Sequence, residues 1–267
     1  MATFNSAPYI HEQMDSLLNQ TYENFEIIVS DDKSTDSTQE ILNAYCAKDK
    51  RVHWSENPSP AGCSKNFERA FALCKGEIIF VCDSDDAWYK DKVQLHVDAY
   101  QDAKVGWVYN RSVLVDAKGV EFGHLEDTIP TYFTHKRSML ENAWGSCIGG
   151  AHASYRADLI HRCMPMDPFA GAFDSWIQLA IWPRKSVFIN KVLQIYRRHG
   201  TNVSVWNDPK SGGISAEKIK EIERVAIENN IRLIGHLPYN RSLPVWKRVY
   251  FMLVYLGKKW RLALRGS

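Results

Sequence analysis

Three aspartates within four residues, Asp83, Asp85 and Asp86, follow the apolar run 77–82. Charges crowded at a strand end repel unless a cation or solvent compensates them. A hard divalent ion is the natural partner. Mg²⁺ or Mn²⁺ typically takes one or two carboxylates and fills its remaining positions with phosphate oxygens and water. The plain alternative is a helix-start cluster, because acids favour the N-terminus of the helix beginning near Tyr89. An EF-hand is excluded: counted from Asp83, Trp88 and Gln94 stand where it needs Gly and Glu. A second pair, Asp31 and Asp32, closes the apolar run 25–30. A carboxylate offers acceptors only, so this pair can take the N3–H of uracil or thymine. Alternatively, both acids and Ser34 only cap the following helix.

Chemistry at strand ends requires strands. Tyr9, Ile10, Met14, Leu17 and Leu18 follow helical spacing after Pro8. Residues 25–30 predict a buried strand, followed by a polar turn whose Asp36 and Gln39 have capping-box spacing. Residues 51–55 predict a short strand and 57–62 a loop. A helix follows over 64–75, ending at Gly76, and then the strand 77–82. This alternation argues for an α/β fold with a mostly parallel sheet and helices on both faces. In such sheets ligands bind beyond the carboxyl ends of the strands, where both acidic clusters lie. Farther on, strands are expected at 105–109, 112–115, 187–189 and 193–197, and a helix over 173–182.

With 45% hydrophobic and 24% charged residues in 267, the chain has a globular composition and length for one large core plus an appendage. No apolar run reaches the ~18 residues of a transmembrane helix. The start lacks the basic and apolar stretches of a signal peptide. Six cysteines include no C-x-x-C pair and predict reduced thiols in a cytoplasmic protein. The net charge of +2 hides an asymmetry: eight basic residues follow the last acid, Glu228, leaving 25 basic against 31 acidic in residues 1–228. An acidic body with basic residues gathered in its tail argues against nucleic acid as a partner.

Taken together, several stretches resemble family 2 glycosyltransferases. They are Ala2–Asn5 with Leu17–Asp36, the segment Asp83–Trp88, Phe173–Trp176, and Tyr196–Ser204, the last resembling bacterial rhamnosyltransferase-like members. The resemblance covers roughly residues 1–205. It implies a GT-A fold over 1–205, with a nucleotide-binding half (1–110) and an acceptor-binding half (111–205), before a helical, basic-aromatic extension at 206–267. It also implies inverting sugar transfer from a nucleotide sugar, UDP- or dTDP-linked, with Mn²⁺ or Mg²⁺. By carry-over, Ala2, Phe4, Asp31 and Asp32 lie at the base, and Lys65 or Asn66 contacts the nucleotide. Asp83 and Asp85 approach the ribose and sugar. Asp85 or Asp86 holds the metal, with His199 as a further ligand. Asp174 is the general base, Phe173 and Trp176 stack on a sugar face, and Arg197 and Arg198 meet the diphosphate. Alternatives are a non-catalytic nucleotide- or sugar-binding module and a phosphatase with Asp83 as nucleophile.

After residue 205, two helices are expected, over 215–233 and 243–264. In the second, Trp246, Val249, Tyr250, Leu253 and Leu256 form a stripe flanked by Lys and Arg. Such a helix suits a membrane interface, which fits a saccharide or lipid-linked acceptor at the inner face of the cell membrane; it equally suits docking on the domain or a dimer partner. At the other end, the resemblance implies several apolar residues before Thr3-Phe4-Asn5, so the first strand is expected to be foreshortened or absent beside residues 25–30.

Overall fold

The computed structural model describes residues 1–125, 149–166, 173–181, 184–200 and 202, with 245–246, 248–249 and 252–253 farther on. The chain enters on a two-residue strand, β1 (Ala2–Thr3), and turns at Ser6 into α1 (Ile10–Leu18). The Ser6 carbonyl accepts the N–H groups of Tyr9 and Ile10, which have no partner within the helix. Ile10, Met14 and Leu17 recur along one buried face of α1.

β2 (Ile27–Asp31), α2 (Thr38–Lys48) and β3 (Val52–Glu56) follow. The strands pair in parallel in the order β1-β2-β3. Asp36 Oδ1 accepts the Thr38 N–H and hydroxyl at the start of α2. The expected capping box is not completed: the Gln39 amide reaches Asp31 and Glu56 instead. α3 (Cys63–Leu73) stops short of Gly76, with Cys74 already extended. The reason is a competing acceptor, since Glu26 Oε1 takes the N–H groups of Lys75 and Gly76.

The second sheet joins β4 (Ile78–Phe80), β8 (Ala153–Arg156), β6 (Val105–Val115), β9 (Lys185–Arg197) and β5 (Ala87–Trp88) in that order, with β7 (Glu121–His124) beside β6. Here the expectation of a mostly parallel sheet needs correction. Parallel pairing holds within β1-β2-β3 and between β6 and β9, while β4–β8, β5–β9, β6–β7 and β6–β8 are antiparallel. A tight turn at 116–120 suffices for the β6–β7 hairpin, whereas parallel neighbours need a crossover. β6 and β9 are each one strand where two were expected. Register shifts near Asn110–Ser112, opposite Ile189–Gln194, interrupt the alternation on which the sequence reading depends. α4 (Lys92–Ala99), a 3₁₀ turn (Gly150–His152), α5 (Ala157–Cys163) and α6 (Phe173–Ile181) lie between and beside these strands.

Two large apolar clusters hold these layers. Ile10, Met14, Ile27, Val29, Leu42 and Val52 pack around the first sheet. Phe67, Phe71, Tyr155, Ile160, Trp176 and Ile177 pack against the second. The expected domain boundary near 205 and the helix 215–233 lie outside the described residues. No helix among the described residues is long and apolar enough to cross a membrane.

Candidate active site

The carboxyl ends of β2 and β4 meet the loop after β1. Ser6 and Ser84 hydroxyls lie 2.7 Å apart, joining the loop after β1 to the Asp83–Asp86 turn. Asp31 ends β2 and is fully buried. Its oxygens accept hydrogen bonds from the Thr3 hydroxyl, the Ser34 N–H and hydroxyl, and the Gln39 amide. That leaves it a turn organiser, and the base-binding role expected of it is corrected accordingly. Asp32 Oδ1 accepts from Asn57 Nδ2 and the Ala61 N–H, and Oδ2 from the Gly62 N–H. It therefore ties the 57–62 loop to the end of β2.

Asn66 is buried and acts as a strut: Nδ2 donates to the Thr3 carbonyl, and Oδ1 accepts from Asn57. Lys65 lies on the outer side of α3, paired with Glu68 at 2.7 Å. Neither geometry matches the nucleotide contact expected of these two residues. Phe4 stands 60% exposed beyond β1, available to a planar ligand, and Ala2 lies partly buried in the strand. The sequence reading passed over Asn57, which joins Asp32, Asn66 and Ser30. Its only signal was a place in a Pro-rich loop.

The Asp83–Asp86 cluster divides. Asp86 points into the interior, where Oδ1 accepts the Arg197 N–H and Oδ2 the Gln194 amide. Its expected role as metal ligand is corrected, because this carboxylate is consumed in holding β9 to the turn. Asp85 Oδ2 is engaged by His199 Nε2 at 2.9 Å and Asn202 Nδ2 at 3.1 Å. Its Oδ1 and both oxygens of Asp83 take no hydrogen bond from the described residues. Burial, then the charges of Asp85 and Asp174, raise the Asp83 pKa well above the usual carboxylate range. Beneath them Lys92 is buried, donating to the Ala151 carbonyl and to Gln194 Oε1, over the Trp88 ring. Burial lowers the Lys92 pKa to about 7.

Asp174 lies in the first turn of α6, half-buried, with its Oδ2 3.2 Å from the Gly150 N–H. Its neighbours correct the sequence reading. Trp176 is fully buried and donates Nε1–H to the Cys163 carbonyl. Phe173 packs between Phe67 and Phe71. Both rings anchor the helix in the core, so neither presents a face to a sugar.

β9 delivers Arg197, Arg198 and His199. Arg197 is buried; its Nε–H donates to the Asp85 carbonyl, its guanidinium pairs with Glu12, and it sits over the Tyr9 ring. It fastens α1 to the acidic turn and is not free for a diphosphate. Arg198 is partly exposed, near the Tyr196 ring. His199 stacks on Tyr9 with centroids 4.7 Å apart, fixing the ring against Asp85. Tyr9 and Asn202 were not expected here, although Asn202 lies in one of the stretches that carried the resemblance.

One thiol reports how these acids converge. Cys63 opens α3, and although the residue is exposed, its pKa is pushed up to about 12. The desolvating protein mass around the thiol comes first, then the negative charges of Asp83, Asp174, Asp85 and Asp32. Carboxylates that follow β2 and β4 and that open α6 thus lie near this thiol. No group of three or more His, Cys, Asp or Glu side chains is gathered as a metal site among the described residues. The donors present, Asp83, Asp85 and the imidazole of His199, are nevertheless of the oxygen-rich kind that a hard divalent ion accepts.

Comparisons with known proteins bear on the family and the fold. Over 220 residues the chain is 26% identical to an uncharacterized glycosyltransferase of Nostoc sp., covering 76% of this chain and 64% of that one. It is 34% identical over 110 residues to the Escherichia coli UDP-Glc:alpha-D-GlcNAc-diphosphoundecaprenol beta-1,3-glucosyltransferase WfaP, covering 41% and 43%. The chain thus spans less than two thirds of the length of these relatives. Among solved structures, Staphylococcus aureus TarS in complex with UDP superposes with a TM-score of 0.62 at 21% identity, over 96% of this chain and 69% of that one. A Pyrobaculum calidifontis mannosyltransferase in complex with GDP-Man and Mn²⁺ gives 0.59 at 18%, over 97% and 86%. These two show the fold: a GT-A architecture. Residues 1–163 match the family described as Glycosyl transferase family 2, and the chain belongs to that family.

Proposed function

We propose that this chain is an inverting glycosyltransferase. It moves a sugar from a nucleotide-diphosphate sugar, UDP- or dTDP-linked, to a saccharide or lipid-linked saccharide acceptor during cell-surface polysaccharide synthesis. The observation that carries the reading is the nearness of Asp83, Asp85 and Asp174 to one another and to Cys63, in a chain of this family. Support for the donor comes from TarS bound to UDP and from the mannosyltransferase bound to GDP-Man. Support for the acceptor comes from the name of the Escherichia coli relative.

In this reading Phe4 stacks on the base, at the end of a strand that Asp31 and Asn66 hold in place. Asp85, braced by His199 and Asn202, and Asp83 hold a divalent cation. That ion, when bound, supplies charge compensation for the leaving diphosphate. Asp174 accepts the proton of the acceptor hydroxyl as its oxygen attacks the anomeric carbon. The bond to the diphosphate oxygen breaks on the opposite face, which inverts the anomeric centre. Burial raises the Asp83 pKa first, and the charges of Asp85 and Asp174 add a repulsion that a cation would relieve.

Asp174→Asn tests the base directly. Transfer is expected to fall ~10²–10⁴-fold, with nucleotide affinity by calorimetry unchanged. Normal turnover in that variant removes Asp174 from the mechanism. EDTA is expected to abolish transfer, and Mn²⁺ or Mg²⁺ to restore it.

A peripheral location at the membrane is part of the proposal. Val245, Trp246, Val249 and Leu253 occupy helical positions and are each more than half exposed, within the basic C-terminal stretch. Val249→Glu with Leu253→Glu is expected to abolish co-sedimentation with anionic liposomes without lowering transfer to a soluble acceptor. Equal sedimentation of both proteins rejects the membrane role.

A further inference from the structure

Lys92 opens α4, and its side chain is fully buried. Its root is anchored, since the Val93 N–H donates to Gln20 Oε1 at 3.0 Å. The ammonium directs its hydrogen bonds to neutral acceptors, Gln194 Oε1 at 2.6 Å and the Ala151 carbonyl at 3.1 Å. It lies 4.0 Å from the centre of the Trp88 ring. Removing an ammonium from water is expensive, and an apolar side chain would fill this place without that cost. Packing alone therefore gives no reason for a lysine here. The reason lies in what its two hydrogen bonds join.

Ala151 is the middle residue of the 3₁₀ turn, and each residue of that turn has its own tether. The His152 ring meets the Ser112 hydroxyl at 2.7 Å. The Ala151 carbonyl accepts from Lys92. The Gly150 N–H donates to Asp174 Oδ2 at 3.2 Å. Gln194, the other acceptor of Lys92, is itself fixed, because its Nε2 donates to Asp86 Oδ2. One cation thus ties the turn that meets Asp174 to both β9 and α4. Hydrogen bonds from a charged donor are about twice as strong as neutral ones, which suits a support of this kind.

We propose that Lys92 is a positioning residue for Asp174. Through the Ala151 carbonyl it sets the turn whose Gly150 N–H orients the Asp174 carboxylate. This role rests on the reading of Asp174 as the base. Lys92 acts through the turn, so its loss should impair the chemical step and spare donor binding.

Lys92→Met keeps the length of the side chain and removes its donors. It is expected to lower kcat about tenfold or more. Donor KM, UDP affinity by calorimetry and the half-saturating Mn²⁺ concentration should each stay within about twofold of the parent. Hydrogen exchange at the Gly150 amide is expected to quicken about tenfold or more, with exchange at Val29 in the first sheet unchanged. In an Asp174→Asn background the same substitution is expected to lower transfer by less than about twofold, because the group it positions is gone. A full further loss there overturns the proposal, as does a parental kcat, a parallel loss of donor affinity or unchanged exchange at Gly150. Should Lys92→Met not fold, Gln194→Leu removes the seat of the ammonium and carries the same expectations. Normal turnover in Asp174→Asn alone overturns the base and this role with it. An inactive Asp174→Asn beside a Lys92→Met of parental kcat overturns the role of Lys92 only.

Discussion

At the residue scale, the acidic turn holds two carboxylates with opposite duties, separated by one peptide bond. Asp85 is braced from one side and leaves an oxygen to the cleft, whereas Asp86 spends both oxygens inside the fold. Asp85→Asn is therefore expected to remove the stimulation of transfer by Mn²⁺ while leaving the urea midpoint nearly unchanged. Asp86→Asn turns an amide N–H toward the donors of Gln194 or Arg197. It is expected to cost about 1–3 kcal/mol of stability, with the metal response retained. Denaturation curves and metal titrations on both variants decide the assignment, and the reverse pattern would exchange the two roles. The D-x-D-D spacing left both registers open, because the direction of each side chain depends on β9, more than a hundred residues away.

At the element scale, α6 positions Asp174 through its buried aromatics. Phe173 sits so close to Gly150 that a Cβ there would lie 2.5 Å from its ring, with Val81 at 3.4 Å. Gly150→Ala is expected to push Phe173 and the first turn of α6 away from the Gly150 N–H. Overpacking of this kind costs ~1–3 kcal/mol. Transfer should fall more steeply than nucleotide affinity, since only the base is displaced; unchanged turnover would show that α6 does not depend on this contact. The elements of the first hundred residues were legible because each follows one period. α1 repeats at 10, 14 and 17, and β2 is a short apolar run between polar turns. β6 and β9 were read as broken because the pattern breaks at their bulges, although the hydrogen-bonded ladder continues past them.

At the scale of the whole molecule, packing the sheets buries two histidines as neutral groups. His96 bridges Ser154 and Asn110, and His152 meets the Ser112 hydroxyl. Burial lowers both pKa values to about 3, from 6.5. The unfolded chain therefore binds more protons than the folded one between pH 6.5 and pH 3. Their contribution to stability is full above pH 6.5 and is lost as the pH falls toward 3, by about 1.4 kcal/mol per pH unit for each fully titrating group. His96→Gln is expected to lower the urea midpoint at pH 7 and to make its decline between pH 6.5 and pH 4 shallower. Parallel curves for variant and parent would show that His96 is not buried neutral.

What the sequence determined by itself was local and periodic: the order of helices and strands in the first half, the placement of acids at strand ends, and the family. The first two follow from side-chain alternation and turn chemistry, which act over a few residues; the family follows from the resemblance of several motifs in order. Only the tertiary structure decided which acids face the cleft. Asp31, Asp86, Asn66 and Arg197 have the residue types of ligand contacts, but the fold uses them to bind its own backbone and side chains. The same holds for Trp176, an aromatic beside an acid that is a core anchor because α6 faces α5 and the Cys163 carbonyl. A polar side chain removed from water must find a partner, and which partner lies within reach depends on residues far away in the chain.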